Sequence, residues 1–194
     1  DWHIRGRVRL TATGGMEAQM RDADDAPWAE FLQVPMEDTG NFGLLGLSAD
    51  GTRVLLTDAR GRDTSALVSV PATVGGDAAD DRRVIFASDA SDVADVLVHP
   101  VTREPEAVAV NRLRKQWTVL DDAVADDFEA LDTLAPGDFE IIDRSRDDRT
   151  WVVAYLQDAG STVYWLWDRD TAAGQRLFSA RPALDLLPLQ PMQA

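Results

Sequence analysis

Cysteine is absent from the 194 residues, which excludes disulfide staples and thiolate metal sites and leaves the redox compartment open. Histidine is nearly absent, with only His3 and His99, so there is little to build a general base from. Positive charge is scarce. Nineteen Lys and Arg face 34 Asp and Glu, a net charge of −15, and such a chain repels phosphate backbones, so nucleic acid is not an expected partner. No apolar run approaches the ~18–20 residues of a membrane span, and no signal peptide opens the chain. The chain begins at Asp1 rather than at Met, which points to a processed protein or an excerpt.

Catalytic signatures are missing as well. Gly46-Leu47-Ser48-Ala49-Asp50 has the serine of a nucleophile elbow but not its second glycine. It also falls in a strand-to-strand turn rather than a strand-to-helix turn. His99 precedes Pro100 at the end of a strand and reads as structural. There is no glycine-rich phosphate loop and no H-E-x-x-H. The acidic clusters at Asp22–Asp25, Asp89–Asp95 and Asp126–Asp127 lack the spacing of a calcium loop and read as solvated loops. No catalytic residue, metal ligand or cofactor is therefore expected.

What is present is strand after strand. In Leu44–Ala72, the apolar runs Leu44–Leu47, Val54–Leu56 and Ala66–Val70 are split by turns at Ser48–Thr52 and Asp58–Ser65. Runs this short, bounded by Gly, Asp and Ser, fit strands rather than helices, and Asp50-Gly51 is a hairpin signal. Arg83–Ala87 adds a fourth strand after an acidic loop at Thr73–Asp81. The same order restarts at Val96–Val98, Ala107–Val110 and Trp117–Leu120, and again at Phe139–Ile142, Trp151–Leu156, Val163–Trp167 and Arg176–Ser179. Weaker strand patterns occupy residues 2–10, 16–20 and 28–34.

The first turns of the three clear units begin at 48, 99 and 146, steps of 51 and 47 residues. Repeats of about 40–50 residues with four strands each are the signature of a β-propeller. A β-sandwich does not account for the recurring order. The expected fold is all-β, a partial β-propeller of about three to four four-stranded antiparallel blades at about 1–40, 44–88, 95–138 and 139–180. Residues 121–135 interrupt the rhythm. Val124, Phe128, Leu131 and Leu134 lie on one helical face, Asp121 or Asp122 caps its start, and Pro136-Gly137 stops it, so one inserted amphipathic helix is expected there. Residues 181–194 read as a linker.

The basic residues collect in two of the second turns, Arg60 and Arg62 in one unit and Arg112, Arg114 and Lys115 in the next. Equivalent turns of a propeller open on one face. These five are the candidates for a domain interface or for capture of a substrate carboxylate. Trp117, Trp151, Tyr164, Trp165 and Trp167 sit in strands and are expected to fill the core between blades.

With the blades laid out, three stretches carry a family resemblance: GLSADGTRVLLTDARGRDTSALV at 46–68, DVLVHPVTREPEAVAVNRLRKQWTVLD at 95–121 and RSRDDRTWVVAYLQDAGSTVYWLWDRDT at 144–171. The chain resembles the propeller domain of prolyl oligopeptidase family serine peptidases, on the bacterial acylaminoacyl-peptidase or dipeptidyl-peptidase-like branch. RPALDLLPLQPM at 181–192 is similar to that branch's exit toward an α/β-hydrolase domain, which is absent here. The resemblance implies a non-catalytic domain of an exopeptidase acting on oligopeptides, which gates substrate access and docks the hydrolase domain. The triad would lie outside this chain. The partners implied are that hydrolase domain, an oligopeptide substrate and, through open propeller edges, a second copy. Cytoplasmic placement is favoured over periplasmic. The alternative is a free-standing propeller acting as a protein-binding scaffold.

Overall fold

The computed structural model describes residues 3–73 and 81–192. Most of the Thr73–Asp81 loop, and the two terminal residues of the expected linker, lie outside the described residues. The chain divides into two compact units, 1–93 and 94–194. Each contains two antiparallel meanders.

In the first unit, β1 (Gly6–Leu10), β2 (Met16–Met20) and β3 (Ala29–Val34) form one sheet. β4 (Gly43–Leu47), β5 (Arg53–Asp58), β6 (Ala66–Pro71) and β7 (Arg83–Phe86) form the other. Their alternation explains the core. Ala18, Met20, Leu32 and Val34 of the first sheet are buried together with Val54, Leu56, Val68 and Val70 of the second. In the second sheet Val54 pairs with Val70 and Leu56 with Val68, so period-two alternation puts all four on one face. The opposite face of the first sheet is polar. Arg9 pairs across to Glu17, Arg7 donates to Gln19 at 2.7 Å, and the rings of Trp28 lie under Arg7 and Arg21.

In the second unit, β8 (Val93–Val98), β9 (Pro105–Asn111) and β10 (Lys115–Val119) form a three-stranded sheet in the order β10-β9-β8. β11 (Asp138–Arg144), β12 (Thr150–Leu156), β13 (Val163–Asp168) and β14 (Ala173–Ser179) form a four-stranded sheet in sequence order. The expected helix is there as a short 3-10 turn at Asp122–Val124 followed by α1 (Ala125–Leu134). Asp121 caps the entry through the N–H of Ala123 at 2.9 Å. Val124, Phe128 and Leu131 enter the core with Trp151, Tyr155 and Trp167, which are all fully or almost fully buried. The Tyr155 hydroxyl donates to the Leu131 carbonyl at 2.5 Å and ties α1 to β12. Burial pushes the Tyr155 phenol far above its ordinary pKa, with the Asp132 charge adding to the effect, so it stays a donor.

The aromatic strand residues sort as the pattern predicts, with one exception. Trp117 and Trp165 pack partly buried against this core. Tyr164 sits on the other face of the sheet and stacks on exposed Phe178 at 4.9 Å.

Four antiparallel meanders and one short helix make the all-β, partial-propeller class. Among the described residues, two of the four sheets have three strands rather than four. In the third sheet the chain leaves β10 and enters α1 where a fourth strand would follow.

The three turns that set the repeat share a plan. The amide of Ser48 donates to the Arg53 carbonyl at 2.9 Å, and that of Ser145 to the Thr150 carbonyl at 2.9 Å. The Ser48 hydroxyl donates to Asp50 and the Ser145 hydroxyl to Asp147, each at 2.6 Å. His99 replaces the serine in the third turn, where its Nδ1 accepts the amides of Val101 at 3.1 Å and Thr102 at 2.9 Å. Each turn has a left-handed residue, with φ of 70° at Gly51, 62° at Arg103 and 57° at Asp148.

Candidate functional site

The basic turns lie in different units. In the first, the β5–β6 turn holds Arg60 against Asp58, a residue at the end of β5 that is only 1% exposed. Arg60 Nε donates to Asp58 Oδ1 at 2.9 Å and its second nitrogen to Oδ2 at 3.0 Å, a two-pronged pair. Arg82 adds a second cation at 3.4 Å. Burial alone pushes the Asp58 carboxyl up, but the Arg60 hydrogen bonds and the Arg60 and Arg82 charges outweigh it and hold the pKa below the usual range. Arg60 also donates to the Gln33 carbonyl at 3.1 Å and so fastens the turn to β3. Arg62 donates to the Thr64 carbonyl at 3.2 Å and lies 3.9 Å from exposed Asp89.

In the second unit, Arg112, Arg114 and Lys115 share the β9–β10 turn. The Lys115 side chain is 7% exposed, and its Nζ sits between Glu140 at 2.6 Å and Asp95 at 3.1 Å. Its charge is spent inside the fold. Arg114 is half exposed, 3.5 Å from Asp158 and 3.9 Å from Asp138. Arg112 is exposed and makes no side-chain hydrogen bond or ion pair among the described residues. The turn borders a crevice of about 340 Å³ lined by Leu113, Arg114, Asp138, Asp158 and Met192. Of the five candidates, Arg112 and Arg114 present the most freely available guanidinium groups.

A denser cluster of charge lies inside the second unit, and sequence reasoning missed it. Arg144, at the end of β11, bridges Glu106 of β9 and Asp148 of the following turn. Arg169 joins Asp148 to Asp127 of α1, with Nε 2.8 Å from the Asp127 carboxylate. Trp151 and Trp167 donate their indole N–H groups to Asp148 at 2.9 Å and Asp127 at 2.8 Å. The Trp151 ring has Arg144 at 4.7 Å and Arg169 at 4.8 Å from its centroid, a cation–π contact with each.

Every carboxylate in the network has a guanidinium and most have an indole. Charged groups this buried require such pairing. His99, Glu106 and Asp148 come close enough to suggest a metal centre. The Arg144 guanidinium, however, already lies between the two carboxylates and supplies the positive charge there. The network holds β9, α1, β11 and the β12 turn together and has no nucleophile, so its chemistry is structural. The local traces in the sequence are the i, i+4 pair Arg144 and Asp148 and the i, i+3 pair Asp148 and Trp151. The other ion pairs join residues 21 to 42 apart along the chain, and each charge alone looks ordinary.

No family model matches the chain. It is 37% identical over 192 residues to dipeptidyl aminopeptidase BIII of Pseudoxanthomonas mexicana, covering 98% of this chain and 27% of that protein. It is 21% identical over 189 residues to dipeptidyl peptidase family member 6 of Caenorhabditis elegans, covering 91% of this chain and 25% of that protein. The chain thus spans about a quarter of the length of these curated relatives. Homology to a dipeptidyl aminopeptidase over nearly all of its own length, together with four blade-like sheets, bears out the resemblance to a serine-peptidase propeller. Both names are of the dipeptidyl-peptidase kind, and neither supports the acylaminoacyl-peptidase alternative.

Proposed function

Since this chain is homologous to a segment of a dipeptidyl aminopeptidase, we propose that it is the non-catalytic propeller part of a serine exopeptidase that removes dipeptides from oligopeptides. The observation that carries the reading is the 37% identity over 98% of the chain. In this reading the blades restrict entry to peptides thin enough to pass them, and their loops dock an α/β-hydrolase domain that brings the Ser-Asp-His triad. Arg112 and Arg114 are the residues best placed to meet an acidic surface of that domain or a peptide carboxylate, since the other basic candidates already hold internal partners or lie beside them. Lys115 in particular is enclosed by Asp95 and Glu140.

The purified chain is expected to leave dipeptidyl 4-nitroanilide substrates intact, because no G-x-S-x-G occurs among its residues. Turnover by the chain alone overturns the assignment. Reading the parent gene past Ala194 is the companion test. A G-x-S-x-G within about 150 residues, the scale of one further domain, supports the peptidase, and an unrelated domain supports the scaffold reading instead.

A further inference from the structure

The third sheet has an unpaired edge. β10 pairs with β9 and with no other strand among the described residues, whereas its counterpart third strands β6 and β13 each have a fourth strand beside them. The register shows which main-chain groups point outward. Leu120 N–H donates to the Glu106 carbonyl at 2.8 Å. Alternation along an antiparallel pair then turns the Gln116 and Thr118 amides toward β9 and the Lys115, Trp117 and Val119 amides away from it. The Lys115 amide is met by an Asp138 carboxylate oxygen at 3.3 Å. The outward N–H and C=O groups of Trp117 and Val119 make no hydrogen bond among the described residues.

Beside this edge is a crevice of about 420 Å³, running between β10, α1 and the start of β11. Its apolar walls are Trp117, Val119, Phe128 and Phe139. Trp117 meets Phe128 edge-on at 5.3 Å and stacks on Phe139 at 6.0 Å, and its indole N–H donates to the Phe139 carbonyl at 3.1 Å, so these walls are fixed. Its rim is acidic. Glu129 and Asp132 of α1 are exposed, Asp138 is half-buried, and the one lysine on the rim, Lys115, is already neutralised by Asp95 and Glu140.

We infer that the β10 edge and this crevice form a strand-addition site for an extended peptide in which basic and apolar residues alternate. Main-chain pairing to Trp117 and Val119 would supply register and much of the affinity. Apolar side chains would lie in the crevice against Trp117 and Val119, and basic ones would reach Glu129 and Asp132. An acidic strand is disfavoured by the same rim. The edge would take such a segment in a scaffold as well as in a peptidase.

The probe is a blocked peptide of about seven residues of alternating lysine and valine, a common strand length, added to the full chain. Three results are expected. It binds with a micromolar dissociation constant by calorimetry. It slows amide exchange at Trp117 and Val119 at least about tenfold. Its alternating glutamate–valine counterpart does not bind. N-methylation of the peptide amides that would face β10 abolishes binding, and Glu129→Gln with Asp132→Asn weakens it about fivefold while leaving the unfolding midpoint in place. Absence of binding, equal binding of the N-methylated peptide, or binding that leaves the Trp117 and Val119 amides unprotected overturns the site.

Discussion

The Ser48–Arg53 turn of the first unit and the Ser145–Thr150 turn of the second close with the same hydrogen bonds, yet they treat the left-handed position differently. In the first unit that position is Gly51, and a Cβ added there would meet nothing within 4 Å. Glycine is used for its backbone alone. In the second unit the position is Asp148, held at φ 57° with its side chain 9% exposed. Its carboxylate accepts from Arg144, Arg169 and Trp151. One backbone device thus ends in open space in one unit and anchors a buried charge network in the other. Asparagine and aspartate tolerate this region better than other side chains, so the network exploits the cheapest residue that also carries a charge.

Asp148→Gly would make the second turn resemble the first and is expected to have the largest effect. It relieves the backbone but leaves Arg144 without one of its two carboxylates inside the fold. A loss of about 3 kcal/mol is expected in urea unfolding of the chain. A stability equal to the parent's would mean that the network contributes nothing. The reverse exchange, Gly51→Ala, puts a Cβ into the left-handed region with no compensating contact and should cost about 1 kcal/mol by the same measurement.

Ser48→Ala and Ser145→Ala remove matching hydroxyls, each of which accepts a main-chain amide at 3.0 Å. Each should cost about 1 kcal/mol, and nearly equal values would confirm that the turns are equivalent. A difference larger than the cost itself would break the comparison.

The smallest effect is on protonation. Hydrogen bonds from the Ser48 hydroxyl, then from the Thr52 amide and hydroxyl, lower the Asp50 carboxyl to about 2. The Ser145 hydroxyl and the Arg149 amide lower Asp147 in the same way. A depressed carboxyl contributes stability above its unfolded value near 3.8 and loses it as pH falls toward about 2. An NMR titration should therefore place the Asp50 carboxyl midpoint near 2 and move the Asp147 midpoint in the same direction. A midpoint at the unperturbed value for either would show that its serine does not hold it.

How far the sequence could be read depended on how local the cause was. Strands such as Val54–Leu56 and Trp151–Leu156 were legible because alternation and bounding turns are local signals. The turns at 48, 99 and 146 were legible because each repeats the same short plan, although His99 performs the serine's task with a different side chain. The α1 face was legible from Val124, Phe128 and Leu131. The three strands of the third sheet and the helix that follows them were legible too, but not which edge that helix leaves open, because nothing in residues 115–138 states it. The basic turns were visible as composition, but their availability was not. Arg60 is paired with Asp58 only two residues before it, whereas Asp95 and Glu140 neutralise Lys115 from positions 20 and 25 residues away that only the folded chain brings near. The Glu106–Arg144–Asp148–Arg169–Asp127 network was hidden for the same reason. Its members come from β9, β11, α1 and two turns, and each alone looks like a solvated charge.

The access role proposed for this segment is decided in the full-length polypeptide of a dipeptidyl-peptidase-type enzyme that carries it. Dipeptide release from oligopeptides and from a folded protein should be compared before and after excision of residues 1–194. If the segment gates access, the intact enzyme trims oligopeptides and spares the folded protein, and excision abolishes this selectivity or the activity itself. Unchanged rates and an unchanged size preference after excision would contradict it.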